Sequence, residues 1–421
     1  PRFLELVKSW KEQYGGLTDK EGFLLEAARI PGVYVPRFYD VRYKEDGSIA
    51  EICFRRSEVP PRVTRRVVAD LDRAYFPTRP IVPYLETVHD RAMLEVLRGC
   101  TRGCRFCQAG VLCRPVRERD PETLARQAEE LLRGTGYEEI SLTSLSTADY
   151  TCLEPLIKVL MDKYQGTGTS LSLPSLRADA FSVNLAKELQ RGRKSGLTFA
   201  PEAGTQRLRD VINKGVQEAD LMEAVTAAFA AGWTGIKLYF MLGLPTETRE
   251  DLDGIRDLAA KVLEAGRRIS REQGRAKKVR VTVSVSTFVP KAHTPFQWEP
   301  QIPLPEIKAR QQYLKSIMKK GITLNYHDAE LSFLEAVFAK GDRRLGAALE
   351  RAWQLGCKFD SWREHFSFAK WRQAFEETGL DPAFYANRPI PPEEVLPWDH
   401  LDMGVTKRFL LKERERAFQG V

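Results

Sequence analysis

The sequence predicts an α/β fold: an open, partial, TIM-like parallel (β/α)6 barrel, preceded by a helix and hairpin segment and followed by a mostly helical region. Three observations predict it. Short apolar runs recur at 93–97, 140–145, 171–176, 197–200, 236–242 and 279–289, with a helical pattern between each pair. That alternation calls for parallel strands joined by right-handed crossovers, so the loops after the strands gather at one end. Eight such units would close a barrel; six leave it open at one side. Finally, 421 residues at 43% hydrophobic and 29% charged make a chain able to bury a large core, with room for roughly two to four domains. Those figures exclude a fibre or a disordered tail.

Residues 1–92 read as two short amphipathic helices, then a β-hairpin formed by 33–43 and 49–55 around Glu45-Asp46-Gly47-Ser48. Pro60, Pro61, Pro77, Pro80 and Pro83 then punctuate an extended stretch laid over another surface. Arg55-Arg56 and Arg65-Arg66 read as a solvated face. The barrel occupies 93–290. Its first helix has Asp120 as N-cap, Pro121 in the first turn and Gly134 after its end. The fifth, over 249–271, keeps Leu252, Ile255, Leu258, Val262 and Ile269 near one face. Pro300, Pro303 and Pro305 mark the start of the third region, 291–421, with a basic helix over 306–320 and a short strand over 322–325. Four of the seven tryptophans, Trp353, Trp362, Trp371 and Trp398, are expected to form the core of a helical cap there. His327 and Asp328 read as a loop and an N-cap.

The net charge of +8 permits an anionic partner without requiring one. No window has the apolar length of a signal peptide or a membrane span, so a cytoplasmic protein without a membrane partner is expected. The chain begins with Pro on a helical pattern, which suggests a fragment whose upstream domain is missing. The seven cysteines are an odd count in a long chain and do not form a disulfide framework. Cys53, Cys152 and Cys357 read as small core residues.

The strongest signal is Arg98-Gly99-Cys100-Thr101-Arg102-Gly103-Cys104-Arg105-Phe106-Cys107, placed directly after the first barrel strand. Three thiolates at spacings of four and three residues can wrap one loop around a metal cluster, with Gly99 and Gly103 giving the backbone its freedom. Structural zinc competes, but it takes four ligands, normally from two separated pairs, and no second Cys or His pair is present. Cys113 is a fourth candidate ligand that reads better as a free thiol.

This Cys100-x3-Cys104-x2-Cys107 spacing, with an aromatic before the last cysteine, resembles the signature of radical S-adenosylmethionine (radical SAM) enzymes. Over Arg114-Pro115-Val116-Arg117, 200–205 and 288–296 the chain is similar to a poorly characterised branch of that superfamily, which usually carries a cobalamin-binding-like domain ahead of the barrel. The resemblance implies that Cys100, Cys104 and Cys107 ligate a 4Fe-4S cluster and that S-adenosylmethionine (SAM) chelates its open iron. It implies further that Phe106 presents its backbone to the adenine. Ser144 and Ser146 stand where relatives hold the SAM amino group; Arg177 and Lys214 are candidates for the SAM carboxylate. Glu202 is a candidate for the ribose hydroxyls and Gly243 for close backbone approach beside the adenine.

The implied chemistry is reductive cleavage of SAM to a 5'-deoxyadenosyl radical, which abstracts hydrogen from a substrate carbon. Electrons would come from a flavodoxin- or ferredoxin-type reductant. Methylation or methylthiolation of a carbon centre in RNA or a ribosomal protein is the expected outcome, with cobalamin supplied through the upstream domain. His293 either faces the substrate or is structural. The alternative is an RNA- or ribosome-associated binding protein with a structural Fe-S cluster, using Lys277, Lys278, Arg280, Lys319 and Lys320.

Overall fold

A computed structural model describes residues 2–16, 18–85, 87, 89–173, 196–274 and 278–420. The alternation of apolar and polar residues builds two parallel sheets. The first joins Ala92–Glu95 (β1), Glu139–Thr143 (β2) and Ser170–Ser172 (β3) in sequence order; the second joins Leu197–Glu202 (β4), Gly235–Leu242 (β5), Arg280–Thr287 (β6) and Ile322–Tyr326 (β7). Every neighbouring pair in these sheets runs parallel. Parallel pairing demands crossovers, and helices supply them, among them Pro121–Thr135 between β1 and β2 and Arg249–Glu272 between β5 and β6.

One hydrophobic core runs under both sheets. It takes Leu94 from β1, Leu142 from β2, Phe199 from β4, Leu238 and Phe240 from β5 and Val283 from β6, all fully buried. Helices complete it through residues at three- and four-residue spacing, such as Leu252, Ile255 and Leu258 of Arg249–Glu272. Because β-strand side chains alternate, placing Ile236, Leu238, Phe240 and Leu242 against the helices turns Lys237, Tyr239 and Met241 to the opposite face of the sheet.

The expectation of six parallel strands is corrected. The strand expected within the helical C-terminal region pairs in parallel with β6 from Val281↔Ile322 to Val285↔Tyr326, giving seven in these two sheets among the described residues. The 93–97 run divides into β1 and a separate two-residue strand, Leu97–Arg98. The helix expected to stop at Gly134 continues to Thr135, and Gly136, at φ +74°, forms the left-handed cap.

The N-terminal segment forms two helices, Arg2–Tyr14 and Lys20–Ala28, and an antiparallel hairpin of Tyr39–Tyr43 with Ile49–Phe54. Beyond it, Val63–Thr64 pairs in parallel with Leu401–Asp402, joining this segment to the end of the chain. The proline-rich stretch lies over the main body through buried Leu71 and through Phe76, which packs against the main core, while Tyr75, Ile81, Tyr84 and Leu85 stand exposed.

The C-terminal helices pack around Phe333, Val337, Trp371 and Phe375. Trp371 and Trp398 are buried in separate clusters, but Trp353 and Trp362 are each 61% exposed, so the expected four-tryptophan core is two buried and two on the surface. Asp328 caps Ala329–Lys340 by accepting from the N–H groups of Glu330 and Leu331. Cys357 is buried and Cys152 packs against the main core, whereas Cys53 is only half-buried on the hairpin and is not a core residue. No helix is long and apolar enough to cross a membrane among the described residues.

Candidate functional site: the cysteine loop

The loop after β1 is closed at its base by Leu97–Arg98 pairing antiparallel with Arg117–Glu118. Gly99 makes that closure possible. Its φ is +101°, and a Cβ there would lie 2.8 Å from the Cys113 carbonyl and 2.9 Å from that of Pro115. Arginines hold the loop by its carbonyls. Arg117 donates to the carbonyls of Val68, Cys113 and Pro115, and Arg114 to that of Arg102. Arg65, expected in a solvated face, instead donates to the carbonyls of Leu112 and Arg114.

Within the loop, Arg102 reaches Asp149 through two hydrogen bonds of 3.0 and 2.5 Å, and Thr101 reaches it through one of 2.8 Å. Burial works against ionisation of Asp149, but the hydrogen bonds from Arg102 and Thr101 help to outweigh it, and the carboxyl is held at about 2. Asp149 also donates its backbone N–H to the Ser146 carbonyl, so the turn after β2 is tied to the cysteine loop. In that turn Ser144 Oγ bonds Thr147 Oγ1 at 2.9 Å and accepts from the Ser146 N–H, which places both candidate serines on the turn tied to the loop, and Ser146 Oγ is buried without a hydrogen-bond partner among the described residues.

Arg105 is 3% exposed and anchors the centre of the loop. Its guanidinium donates to the carbonyls of Asp210 and Val211 and to Glu413 Oε2 at 3.2 Å, on the helix Lys407–Gln419. Phe106 packs its ring against a cluster containing Leu208, Val211, Met241, Phe288 and Phe296. Asn213, in the left-handed region at φ +49°, donates to the Gly103 carbonyl.

Cys107 caps the short helix Gln108–Leu112, its sulfur accepting from the Gly110 N–H at 3.3 Å, and Cys100 Sγ accepts from the Arg102 N–H at 3.4 Å. Burial pushes the Cys107 thiol up against that hydrogen bond, and Cys100, Lys214 and Glu202 lie near enough to act on it as well. Lys214 and Glu202 are brought together in a 3.0 Å ion pair, both largely buried. A cleft of about 620 Å³ opens onto Cys104 and Cys107, walled in part by Arg102, Asn213, Phe409 and Arg416. Among the described residues no group of three or more His, Cys, Asp or Glu side chains is gathered around a single-ion position.

The other candidates separate. Gly243 has φ +84°, and the space a Cβ would take is filled by Ile302, so its close approach is to that side chain. Its N–H donates to Glu247, a buried carboxylate paired with Arg310 at 2.6 Å. His293 lies edge-on to Trp398, with ring centroids 6.5 Å apart, and burial lowers its basicity. Arg177 and Lys277 lie outside the described residues. Lys278 and Arg280 are exposed at the start of β6, and Lys319 and Lys320 just before β7, at the strand ends opposite the cysteine loop.

Sequence reading missed Asp149, Arg65 and Glu413. Their partners lie 47 to 308 residues away along the chain, and no spacing rule links such positions.

Residues 94–259 match the family model described as the radical SAM superfamily. An uncharacterized protein of Methanocaldococcus jannaschii is 32% identical over 288 residues, 68% of this chain and 60% of that protein. The ribosomal protein uS12 methylthiotransferase RimO of Pelotomaculum thermopropionicum is 28% identical over 45% of this chain and 43% of its own length. The chain thus spans 60% and 43% of the length of these two relatives. Among solved structures, the radical SAM methyltransferase TsrM from Kitasatospora setae aligns at 12% identity over 68% of this chain and 61% of its own, with a TM-score of 0.41. The family match runs from the first parallel strand, through the cysteine loop and into the helix after β5, and it marks residues 94–259 as a radical SAM domain.

Proposed function

We propose that the chain is a radical SAM enzyme in which Cys100, Cys104 and Cys107 hold a 4Fe-4S cluster. The observation that carries this is the cysteine loop itself: three cysteines outside any disulfide within residues 100–107, on a loop held by carbonyl-bound arginines at the end of the first parallel strand, with Cys104 and Cys107 lining a cleft. The chemistry of the donor set supports a cluster. A zinc ion needs four donors converging at about 2.0–2.3 Å, whereas a cluster meets each thiolate at a different iron and suits three cysteines spread along a loop. The two parallel sheets share one core, which supports reading them as parts of one open barrel.

Cluster and SAM together supply radical abstraction of hydrogen from a carbon centre. The chain's own residues hold and shield that site. Arg105 and Phe106 fix the loop from below, through carbonyls and an apolar cluster that exclude water. Asp149 holds Arg102 and Thr101. Lys214 and Glu202 neutralise each other until a ligand arrives, and each then offers the charge that a SAM carboxylate or ribose requires. Ser144, Ser146 and Arg177 are the further candidates for SAM, with the Phe106 and Gly243 backbones for its adenine.

For the reaction we propose methylation or methylthiolation of a carbon centre in RNA or a ribosomal protein, fed by a flavodoxin- or ferredoxin-type reductant. The methylthiotransferase name of one relative and the methyltransferase name of another, from Pyrococcus horikoshii, support it. Cobalamin would enter through a domain outside this chain. Anaerobic reconstitution with iron and sulfide, followed by dithionite and SAM, is expected to release 5'-deoxyadenosine, and Cys104→Ala to abolish it. Release undiminished in Cys104→Ala would overturn the assignment.

A further inference from the structure

The face of the second sheet turned away from the helices carries a group that radical generation does not use. Lys237 and Tyr239 project from it on β5. Parallel register sets Thr198 of β4 and Thr282 of β6 beside Lys237, and Ser284 of β6 beside Tyr239. Lys237 Nζ donates to Tyr239 Oη at 2.9 Å and lies 4.5 Å from the ring centroid. Among the described residues no carboxylate is paired with Lys237.

The hydrogen-bond arithmetic of this group is one-sided. An ammonium has three donors and no acceptor; with one spent on Tyr239 Oη, two remain. The phenol, having accepted, must give its own proton elsewhere. Its cross-strand neighbours add three more hydroxyls, and Ser284 is 5% exposed. On the corresponding face of β2, Ser141 Oγ is fully buried with no hydrogen-bond partner, so the face away from the helices is hydroxyl-bearing in both sheets. A half-buried cation among oriented hydroxyls and without a carboxylate is built to receive an oxyanion.

Its position connects it to the cysteine loop. Met241 follows Tyr239 on the same face, about 7 Å further along the strand, and packs in the cluster that seats Phe106. We propose that Lys237 and Tyr239, with Thr198, Thr282 and Ser284, form an oxyanion subsite that holds a phosphate- or carboxylate-bearing substrate with its reacting end toward the cysteine loop. The binding claim stands on these residues alone; the orientation rests on the function proposed above.

The test is reductive methylation of the full chain, read at Lys237 by peptide mass spectrometry, with inorganic phosphate or acetate present. Either anion is expected to slow labelling of Lys237 at least about fivefold while leaving exposed Lys319 unchanged, and Tyr239→Phe to raise the anion concentration needed by about tenfold. Protection by phosphate alone identifies a phosphate-bearing substrate, and by acetate alone a carboxylate. Labelling of Lys237 that neither anion slows, or that slows only in step with Lys319, overturns the subsite. Failure of the wild-type chain to take up iron would overturn the cluster assignment while leaving this labelling pattern intact, so the two can fail separately.

Discussion

The barrel core and the cysteine loop are held together by opposite means. The core is made of short-period patterns: Leu94, Leu142, Phe199 and Leu238 are buried because they alternate along strands, and their partners sit on adjacent crossover helices. The loop has almost no periodicity. It is held from distant parts of the chain: Arg65 reaches it from the N-terminal segment, and its own Arg105 is tied to Glu413 near the C-terminus. Stability in the first region is a matter of apolar area; in the second it depends on whether a few buried cations keep their acceptors.

Variants can break that comparison. The largest stability loss is expected from Phe199→Ala, fully buried in the core, at about 3–5 kcal/mol in urea unfolding. A loss below about 1 kcal/mol would show that the two sheets do not share a tight core. Glu413→Ala leaves Arg105 buried without its carboxylate and should cost about 3 kcal/mol, with iron retention falling as well. Unfolding that weakens without any loss of iron would detach the C-terminal helix from the loop's function.

Asp149 gives a smaller, pH-dependent effect. Its folded-state pKa, about 2, lies below the ordinary 3.8, so its pairing stabilises the fold above the ordinary value. That contribution is lost as pH falls through about 2. Asp149→Asn should therefore cost about 2 kcal/mol near neutrality and flatten the acid limb of the stability profile. An unchanged acid limb would remove Asp149 as the clasp between the β2 turn and the loop. Smallest of all, Trp353→Ala and Trp362→Ala should each stay within about 0.5 kcal/mol, since both rings are exposed. Trp371→Ala, buried against Phe375, should cost several times more.

Legibility in the sequence follows the same division. Strand and helix alternation exposed six of the parallel strands because period-two and 3.6-residue patterns are local. The seventh, Ile322–Tyr326, is half-exposed and short, so its own pattern did not announce that it would pair with β6. The cysteine spacing was legible because three ligands fit in one loop. What surrounds it was not. Nothing in Lys407–Gln419 marks Glu413 as the partner of a residue 308 positions earlier, and Arg65 looked like surface because charge pairs usually are. Glu202 and Lys214 were each picked out singly; that they meet each other is visible only in three dimensions.

The central claim is that three cysteines, and not Cys113, hold the cluster. Iron and acid-labile sulfide per chain after anaerobic reconstitution test it most directly. Roughly four irons are expected in the wild type and in Cys113→Ala, with loss in Cys100→Ala, Cys104→Ala and Cys107→Ala. Loss of iron in Cys113→Ala, with any one of the other three variants retaining the full complement, would contradict it.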